Sequence, residues 1–393
     1  MLTLCQENPK AKISASKPDR PKVYWVTDEN DIEANAFGYA THNRYMRRFS
    51  KDLIDFDKNA DIALHITSAD KFEPIPNKFN VLFSMWEFLT LPKSYIEALE
   101  KADAIIVPST FCETLFAKYT DKPIYKCFEG VDESTFTYYQ RKPARYPKKF
   151  RFLWVGAPNP RKGYPTMLEL ADKVFQKSPL VEIYLKTSFP PADSWKTFWH
   201  SITHLPEILC DQRKRWSFFR FLTHLVKYRK TDMSIGVKRY GRYQNIIMDN
   251  RKLPIDELVD LYRSAHAFVL PSLGEGWGLT LIEAMATGCP AIAPSHTGMA
   301  DFFDIKSGWP IRYSTQPVDL KNYDLLTEGY IPDTASTLEN MVYVMEHYSE
   351  AIVKASRASK RIRNNFTWTK SALRMRDILN DITEKKYGFE LTK

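Results

Sequence analysis

Residues 271–290 read PSLGEGWGLTLIEAMATGCP and have the pattern of a strand, a glycine-rich turn and a helix. The apolar run His266–Pro271 has the length of a buried strand, and Leu279–Thr287 has the length and spacing of a helix. Gly288 and Pro290 follow the last helical turn, as a terminating glycine and a subsequent proline usually do. The turn between strand and helix contains Gly274, Gly276 and Gly278. Because glycines allow close approach to the backbone and free amides at a helix start attract anions, we expect a phosphate here.

Two carboxylates flank this expected anion site, Glu275 in the turn and Glu283 just over one turn into the helix. Carboxylates accept hydrogen bonds from hydroxyl groups, so the pair suits a sugar on one side of the phosphate and a ribose on the other. The opposite charge comes from Val155–Gly163, VGAPNPRKG, where a predicted strand runs into a turn with Arg161 and Lys162. A guanidinium and an ammonium together suit a diphosphate.

Short apolar runs alternate with helical stretches along most of the chain. The predicted strands are Lys22–Thr27, Asp61–Ile66, Asn80–Met85, Ala104–Pro108, Arg151–Gly156, Val181–Thr187 and Ala291–Pro294. The predicted helices are Tyr39–Ser50, Pro92–Lys101, Phe111–Tyr119, about 164 to 176, Thr337–His347, Glu350–Asn364 and Thr369–Lys385. This alternation predicts an α/β fold of two Rossmann-like, doubly wound domains that face each other across a cleft.

Composition indicates where the domains begin and end. Thr137–Phe150 has two prolines, five Lys or Arg and no periodicity, which is typical of a linker. We therefore expect a polar tail at 1–20 without the apolar core of a signal peptide, a first domain at 21–145, a second at 146–368 with an insert at about 190–243, and a helix at 369–393 that crosses back to the first domain.

The overall composition restricts the class of protein. Of the 393 residues 44% are apolar and 26% charged, and no apolar run is long enough to span a bilayer. Five scattered cysteines argue against a disulfide framework, so we expect a reducing, cytoplasmic location. Residues 196–252 contain 13 Lys or Arg against four Asp or Glu, whereas the whole chain has a net charge of +9. One confined basic segment favours a single anionic partner surface, and no nucleic acid partner is expected.

The motifs in combination resemble a known family. EGWGLTLIE at 275–283 has the Glu-x7-Glu pattern of retaining glycosyltransferases of the family 4 type, preceded by LPS and followed by EAMATGCP. The upstream segments NPRKG at 159–163 and LPIDELVDLYRSAHAFVLPS at 253–272 are also similar to that family. The similarity covers about 151–368 well and 80–132 moderately. It implies the GT-B fold, a nucleotide-diphosphate sugar as donor, and a hydroxyl acceptor on a glycan or a lipid-linked molecule.

The resemblance also implies roles for individual residues. Glu275 is expected to bind donor-sugar hydroxyls, and Glu283 the nucleotide ribose, whereas Lys162 binds the diphosphate. The backbone amides expected to bind sugar and phosphate are those of Gly276, Trp277, Gly278 and Leu279. The family often has Arg directly after the strand-end glycine, where this chain has Ala157, so Arg161 is expected to substitute. Such enzymes need no metal, cofactor or protein nucleophile, and the leaving phosphate helps to deprotonate the acceptor.

The first domain offers three further candidates. Ser84-Met85-Trp86-Glu87 resembles a variant of the family with Trp-Glu after the strand, so we expect Trp86 and Glu87 to face the cleft on the acceptor side. Gly38 lies between a predicted strand and helix, where donor phosphate or acceptor can approach the backbone.

Other interpretations remain open at this level. A non-catalytic module with the same fold would bind an anionic partner through its basic insert. The helix predicted within 211–230 has an apolar face and recurring basic residues, so it either packs on its domain or lies on an anionic membrane surface. Asp55-Phe56-Asp57 has the spacing of a metal-binding motif but is expected to be surface. His200 and His204, near Cys210, lack a clear fourth zinc ligand.

Overall fold

Two parallel sheets, one in each half of the chain, form the structure, a computed structural model that describes residues 20–26, 38–143, 149–187 and 236–390. The helix expected within 211–230 lies outside the described residues, as do His200, His204 and Cys210. The predicted α/β class with two facing Rossmann-like lobes is confirmed.

The N-terminal lobe is built on a six-stranded parallel sheet in the order β2-β1-β3-β4-β5-β6. Its strands are β1 Lys22–Trp25, β2 Asp55–Phe56, β3 Ile62–Ile66, β4 Phe79–Phe83, β5 Ala104–Val107 and β6 Ile124–Lys126. Its helices are α1 Tyr39–Ser50, α2 Lys93–Lys101 and α3 Thr110–Phe116. All five residues of Ile62–Ile66 are buried, because helices cover both faces of the sheet and leave no polar face.

The C-terminal lobe contains a seven-stranded sheet in the order β13-β12-β11-β7-β8-β10-β9, in which only the β9–β10 pair is antiparallel. The strands are β7 Phe150–Val155, β8 Val181–Lys186, β9 Val237–Tyr240, β10 Ile246–Asp249, β11 Ala267–Val269, β12 Ala291–Ala293 and β13 Trp309–Pro310. The helices are α4 Tyr164–Leu170, continued by a π-helical stretch Ala171–Phe175, then α5 Ile255–Ser264, α6 Leu279–Ala286, α7 Thr334–Glu346 and α8 Tyr348–Asn365.

The strand order of this second sheet places the ligand site. The chain enters at β7 and continues to β8, then forms the edge strand β9 and, between β9 and β8, the strand β10, before it returns to place β11 on the other side of β7. The crevice between β7 and β11 is therefore a topological switch point, where doubly wound sheets bind their ligands beyond the carboxyl ends of the strands. The turns with Arg161, Lys162 and Glu275 follow these two strands.

The two lobes are joined by chain segments that cross side by side. Val131 N donates to Phe366 O over 2.9 Å, and Trp368 N donates to Val131 O over 3.2 Å. After this crossing the last helix, α9 Trp368–Glu390, packs on the N-terminal lobe rather than on the lobe that precedes it. The Trp368 ring stacks on Tyr45 of α1 with centroids 5.5 Å apart.

A two-stranded hairpin, β14 Tyr313–Leu320 and β15 Leu325–Pro332, projects from the C-terminal lobe and was not predicted. Its tip packs on the core of the N-terminal lobe, where the Tyr323 ring contacts Trp86 edge-on with centroids 5.0 Å apart. Leu89 N also donates to Glu328 O over 3.3 Å. The hairpin is thus a second attachment between the lobes, formed by a segment separate from the crossing segments.

We expect a Tyr323→Ala variant to weaken this attachment, because it removes the half-buried ring that covers Trp86. The cost should be about 2 kcal/mol, less than for a fully buried aromatic side chain, and should lower the melting temperature by a few degrees. Thermal unfolding followed by tryptophan fluorescence measures the change. Leu326→Ala on the same hairpin is the control, since Leu326 is 74% exposed. Equal melting of both variants would contradict the attachment.

Most predicted elements agree with the structure to within a few residues. Asp55–Phe56 forms the short edge strand β2. The Asp55 carboxylate forms an ion pair with Arg20 at 3.5 Å and is not part of a metal site with a second carboxylate. Within the described ranges, no group of three or more His, Cys, Asp or Glu is placed to hold a metal ion. The same part of the chain contains no helix with the length and apolar character required to cross a bilayer.

Candidate functional site

The glycine turn after β11 is packed tightly between the two lobes. A side chain at Gly274 would place its Cβ 2.2 Å from the carbonyl oxygen of Glu87 in the N-terminal lobe, so only glycine fits there. Gly278 has φ of +114°, a conformation that other residues avoid, and it precedes the first residue of α6, Leu279. The free amides at the start of α6, with the positive end of the helix dipole, form the expected anion-binding element.

Glu275 lies at the centre of the site and is 4% exposed. Lys162 Nζ donates to its Oε2 over 2.6 Å, and Ser272 Oγ donates to its Oε1 over 2.8 Å. Its backbone amide donates to Thr297 Oγ1 over 3.1 Å. Both the orientation and the charge of this carboxylate are therefore fixed by neighbouring groups.

Arg161, in the turn after β7, contacts residues of both lobes. Its Nη1 donates to Gly274 O over 2.6 Å and lies 3.5 Å from Glu275 Oε2 and 3.3 Å from Glu87 Oε1. In turn Leu273 N donates to Arg161 O over 2.7 Å, which ties the turns after β7 and β11 together. The structure thus brings Arg161, Lys162 and Glu275 into one cluster at the switch point, with Glu87 reaching it from the opposite lobe.

Burial and charge act in opposite directions on the two carboxylates of this cluster. Burial raises the pKa of Glu275, but Lys162 and Arg161 outweigh it and hold the pKa below its usual range. Burial also raises the pKa of Glu87, and there the Arg161 guanidinium offsets only part of the effect. Glu275 is accordingly a firm anion in the cluster, whereas Glu87 is the group that takes up a proton more readily.

Lys162 and Arg161 retain donors for a ligand. An ammonium has three N–H donors and a guanidinium has five, and the contacts to Glu275, Gly274 and Glu87 use only Lys162 Nζ once and Arg161 Nη1. A diphosphate beside the cluster can therefore receive charged hydrogen bonds while Glu275 keeps its contacts.

Glu283 lies apart from this cluster, although its helix, α6, directly follows the glycine turn. It is 9% exposed, and Tyr262 donates its hydroxyl to Glu283 Oε2 over 2.9 Å. The pKa of Glu283 is raised to about 8, chiefly by burial and to a smaller extent by the nearby Glu129, while the hydrogen bond from Tyr262 offsets part of the effect. No described contact joins Glu283 to Lys162 or Arg161, so the predicted donor-binding residues form two separate groups.

The two tryptophans predicted at the site have different surroundings. Trp277 is 1% exposed, and its ring packs against Phe302 and Phe128, so its side chain belongs to the packed interior. Trp86 does not face the cleft as expected. It is 2% exposed, its Nε1 donates to Thr90 O over 2.8 Å, and its ring is covered by the hairpin.

Gly38 precedes α1 with φ of +57°, and a Cβ built there meets nothing within 4 Å. The backbone at this helix start is therefore accessible, whereas Gly276 and Gly278 in the other lobe are buried, and a Cβ built at Gly276 would lie 2.5 Å from Met85 Sδ. Sequence reasoning missed Ser272, Thr297 and Tyr262, which orient the two glutamates. Ser272 stands in the quoted LPS segment, but nothing in the sequence joins Thr297 or Tyr262 to a glutamate.

Solved structures share the fold over most of the chain. HepE of Anabaena, crystallised with UDP and glucose, superposes with a TM-score of 0.61 over 92% of this chain and all of that chain, at 11% identity. The chain has the GT-B glycosyltransferase fold. Sucrose-phosphate synthase of Thermosynechococcus elongatus superposes on this GT-B protein with a TM-score of 0.56, covering 88% of it and 79% of the synthase, at 16% identity.

The central segment of the chain also resembles a known family in sequence. Residues 250–310, which include Glu275 and Glu283, match the family described as Glycosyl transferases group 1. Mannosylfructose-phosphate synthase of Agrobacterium fabrum is 48% identical over 77 residues, 20% of this chain and 16% of that protein. D-inositol 3-phosphate glycosyltransferase of Corynebacterium efficiens is 26% identical over 160 residues, 40% of this chain and 31% of that protein. The similarity thus spans less than a third of the length of either relative.

Proposed function

We propose that this GT-B protein is a retaining glycosyltransferase that moves a sugar from a nucleotide-diphosphate sugar to a hydroxyl group of a glycan or lipid-linked acceptor. The cluster of Arg161, Lys162 and Glu275 at the start of α6 carries this proposal, because it combines positive charge for a diphosphate with a fixed carboxylate for sugar hydroxyls. The segment that holds Glu275 is also the one that matches the glycosyl transferases group 1 family.

In the proposed reaction an acceptor hydroxyl attacks the anomeric carbon of the donor sugar as the bond from that carbon to the diphosphate breaks. The leaving diphosphate takes the electron pair of this bond, and its oxygen accepts the proton of the hydroxyl on the same face, so the anomeric configuration is retained. Arg161 and Lys162 stabilise the negative charge that develops on the diphosphate, and we propose that no metal ion is required. Closure of the lobes keeps water from the donor.

Glu275 is proposed to accept hydrogen bonds from the donor sugar, and Glu283 from the ribose. The amides from Gly276 to Leu279, and the backbone at Gly38 in the other lobe, are proposed to approach the sugar and the phosphates. Glu87 is proposed to act from the acceptor-side lobe by holding Arg161 at 3.3 Å.

The first test is binding of nucleoside diphosphates. UDP, GDP or ADP should raise the melting temperature of the wild type, since a ligand that binds only the folded state stabilises it by RT ln(1 + [L]/Kd). In Lys162→Gln this gain should fall by at least about 1.5 kcal/mol, the contribution of one charged hydrogen bond. Glutamine keeps a donor for Glu275, so the variant is expected to fold.

Lys173→Gln is the matched control, because Lys173 is an exposed lysine that pairs with Glu169. If no nucleoside diphosphate raises the melting temperature of the wild type, the proposed function is wrong. With an active donor, NMR of the product should show the anomeric configuration of the donor, and an inverted product would refute retention. Unchanged rates in the presence of EDTA would support the proposed independence from metal.

A further inference from the structure

A cavity of about 730 Å³ lies between the lobes beside the glycine turn. Its N-terminal side is lined by Thr110, Phe111, Lys126 and Phe128, and its C-terminal side by Trp277, Thr297, Ala300, Asp301 and Phe366. None of the charged residues assigned to the donor is among them. A volume of this size is typical of sites for small molecules.

One wall of the cavity is aromatic. Phe128 stacks on Trp277 with centroids 6.0 Å apart and planes inclined by 24°, and Phe366 meets Phe128 edge-on at 5.6 Å. Phe111 extends this apolar wall from the start of α3. The buried Nε1–H of Trp277 finds no acceptor among the described residues. A ligand with an apolar face and polar groups at its edge would suit such a wall.

The opposite part of the lining is polar and crosses from one lobe to the other. The backbone amide and Oγ1 of Thr110 each donate to Asp301 Oδ2 over 3.0 Å. Lys126 Nζ donates to Thr110 Oγ1 over 2.8 Å and lies 4.0 Å from Asp301. The one ammonium and the one carboxylate offset each other, so this part of the cavity favours hydroxyl groups over a phosphate.

The cavity adjoins the donor position. Thr297, which lines it, accepts the hydrogen bond from the backbone amide of Glu275. Trp277, on the aromatic wall, follows Glu275 by two residues in the same turn. A molecule in the cavity would therefore lie next to the turn that is proposed to hold the donor sugar.

We propose that this cavity binds a sugar unit of the acceptor, an uncharged saccharide whose ring faces contact Phe111 and Phe128 and whose hydroxyls meet Thr110 and Lys126. The proposal rests on the proposed glycosyltransferase function. It assigns the acceptor site in the N-terminal lobe to the start of α3 and the end of β6, and no longer to Trp86, which is covered by the hairpin.

Saturation-transfer NMR tests this assignment without knowledge of the natural acceptor. The probes are methyl α-glucoside, methyl α-mannoside and methyl α-galactoside, with glucose 6-phosphate as an anionic comparison. Each is added to the protein saturated with the nucleoside diphosphate that raises its melting temperature. At least one methyl glycoside should bind the wild type, and its Kd should rise at least fivefold in Phe111→Leu and in Lys126→Met. The Kd of the nucleoside diphosphate should change less than twofold.

Thr114→Ala and Lys118→Met are the matched controls, since both residues are exposed and lie in or just beyond α3 outside the cavity. The acceptor cavity is refuted if the nucleoside diphosphate binds but no methyl glycoside does, or if the cavity variants bind glycoside like the controls. Binding of glucose 6-phosphate alone would refute the uncharged class. Absence of nucleoside diphosphate binding is a different result, because it removes the proposed function itself.

Discussion

Glu275→Gln is expected to reduce sugar transfer by about 100- to 1000-fold, the loss typical of one preorganised polar group that stabilises a transition state. The carboxylate is held by Lys162 and Ser272, so its hydrogen-bond geometry toward a sugar is already set before the donor binds. Glutamine has the same shape, but it offers one acceptor oxygen in place of two and carries no charge. The substitution therefore changes the chemistry of the site more than its packing.

The same variant should keep its affinity for a nucleoside diphosphate or bind it more tightly. When the Glu275 charge is removed, the positive charges of Lys162 and Arg161 are less neutralised, so their attraction for phosphate increases. Initial rates and nucleotide Kd values measured on the same preparation separate the two effects. Glu257→Gln, a change at an exposed position of α5, serves as the control. Normal turnover by Glu275→Gln would refute its role at the donor sugar.

The sequence predicts the donor side of the site well because its parts follow neighbouring strands. Arg161 and Lys162 come after β7, Glu275 comes after β11, and these strands are paired in the sheet. Parallel strands bring the segments after their carboxyl ends to one edge, so two distant motifs meet without any specific signal of contact. The buried strands themselves are recognisable as continuous apolar runs.

The acceptor side could not be predicted in the same way. Trp86 follows a strand as Lys162 does, but a hairpin more than 200 residues later covers its ring. β14 is largely exposed and polar, so it has neither the apolar run of a buried strand nor a clear alternation. Contacts made by such an insertion depend on where it docks, and the pattern of residues within it carries little information about that.

Gly274 shows how much of the site depends on contact between the lobes. The sequence explains its glycine as freedom for the backbone near a ligand, whereas the structure places the Glu87 carbonyl where a side chain would be. The same contact allows Glu87 to reach Arg161. Local sequence thus indicates that a glycine is needed, but only the packing of the two lobes reveals the reason.

A Glu283→Gln variant is expected to remove much of the pH dependence of stability between about pH 5 and pH 8. Burial raises the pKa of Glu283 in the folded state to about 8, compared with 4.5 for an ordinary glutamate. Between these values the folded state binds a proton that the unfolded state has lost. The free energy of unfolding of the wild type should therefore fall as pH rises through this interval, by about 1.4 kcal/mol per pH unit at most.

Glutamine stays neutral at every pH in this interval and can still accept the hydroxyl of Tyr262 through its carbonyl oxygen. The variant should match the wild type near pH 5 and exceed it at pH 8 by up to about 4 kcal/mol. Urea unfolding at pH 5, 6, 7 and 8 measures the difference, with exposed Glu257→Gln as the control. Parallel pH profiles for wild type and Glu283→Gln would show that Glu283 is ionised in the folded protein. A bound ribose would favour that ionised form, so saturating nucleoside diphosphate should flatten the wild-type profile but leave the slope of the variant's profile unchanged.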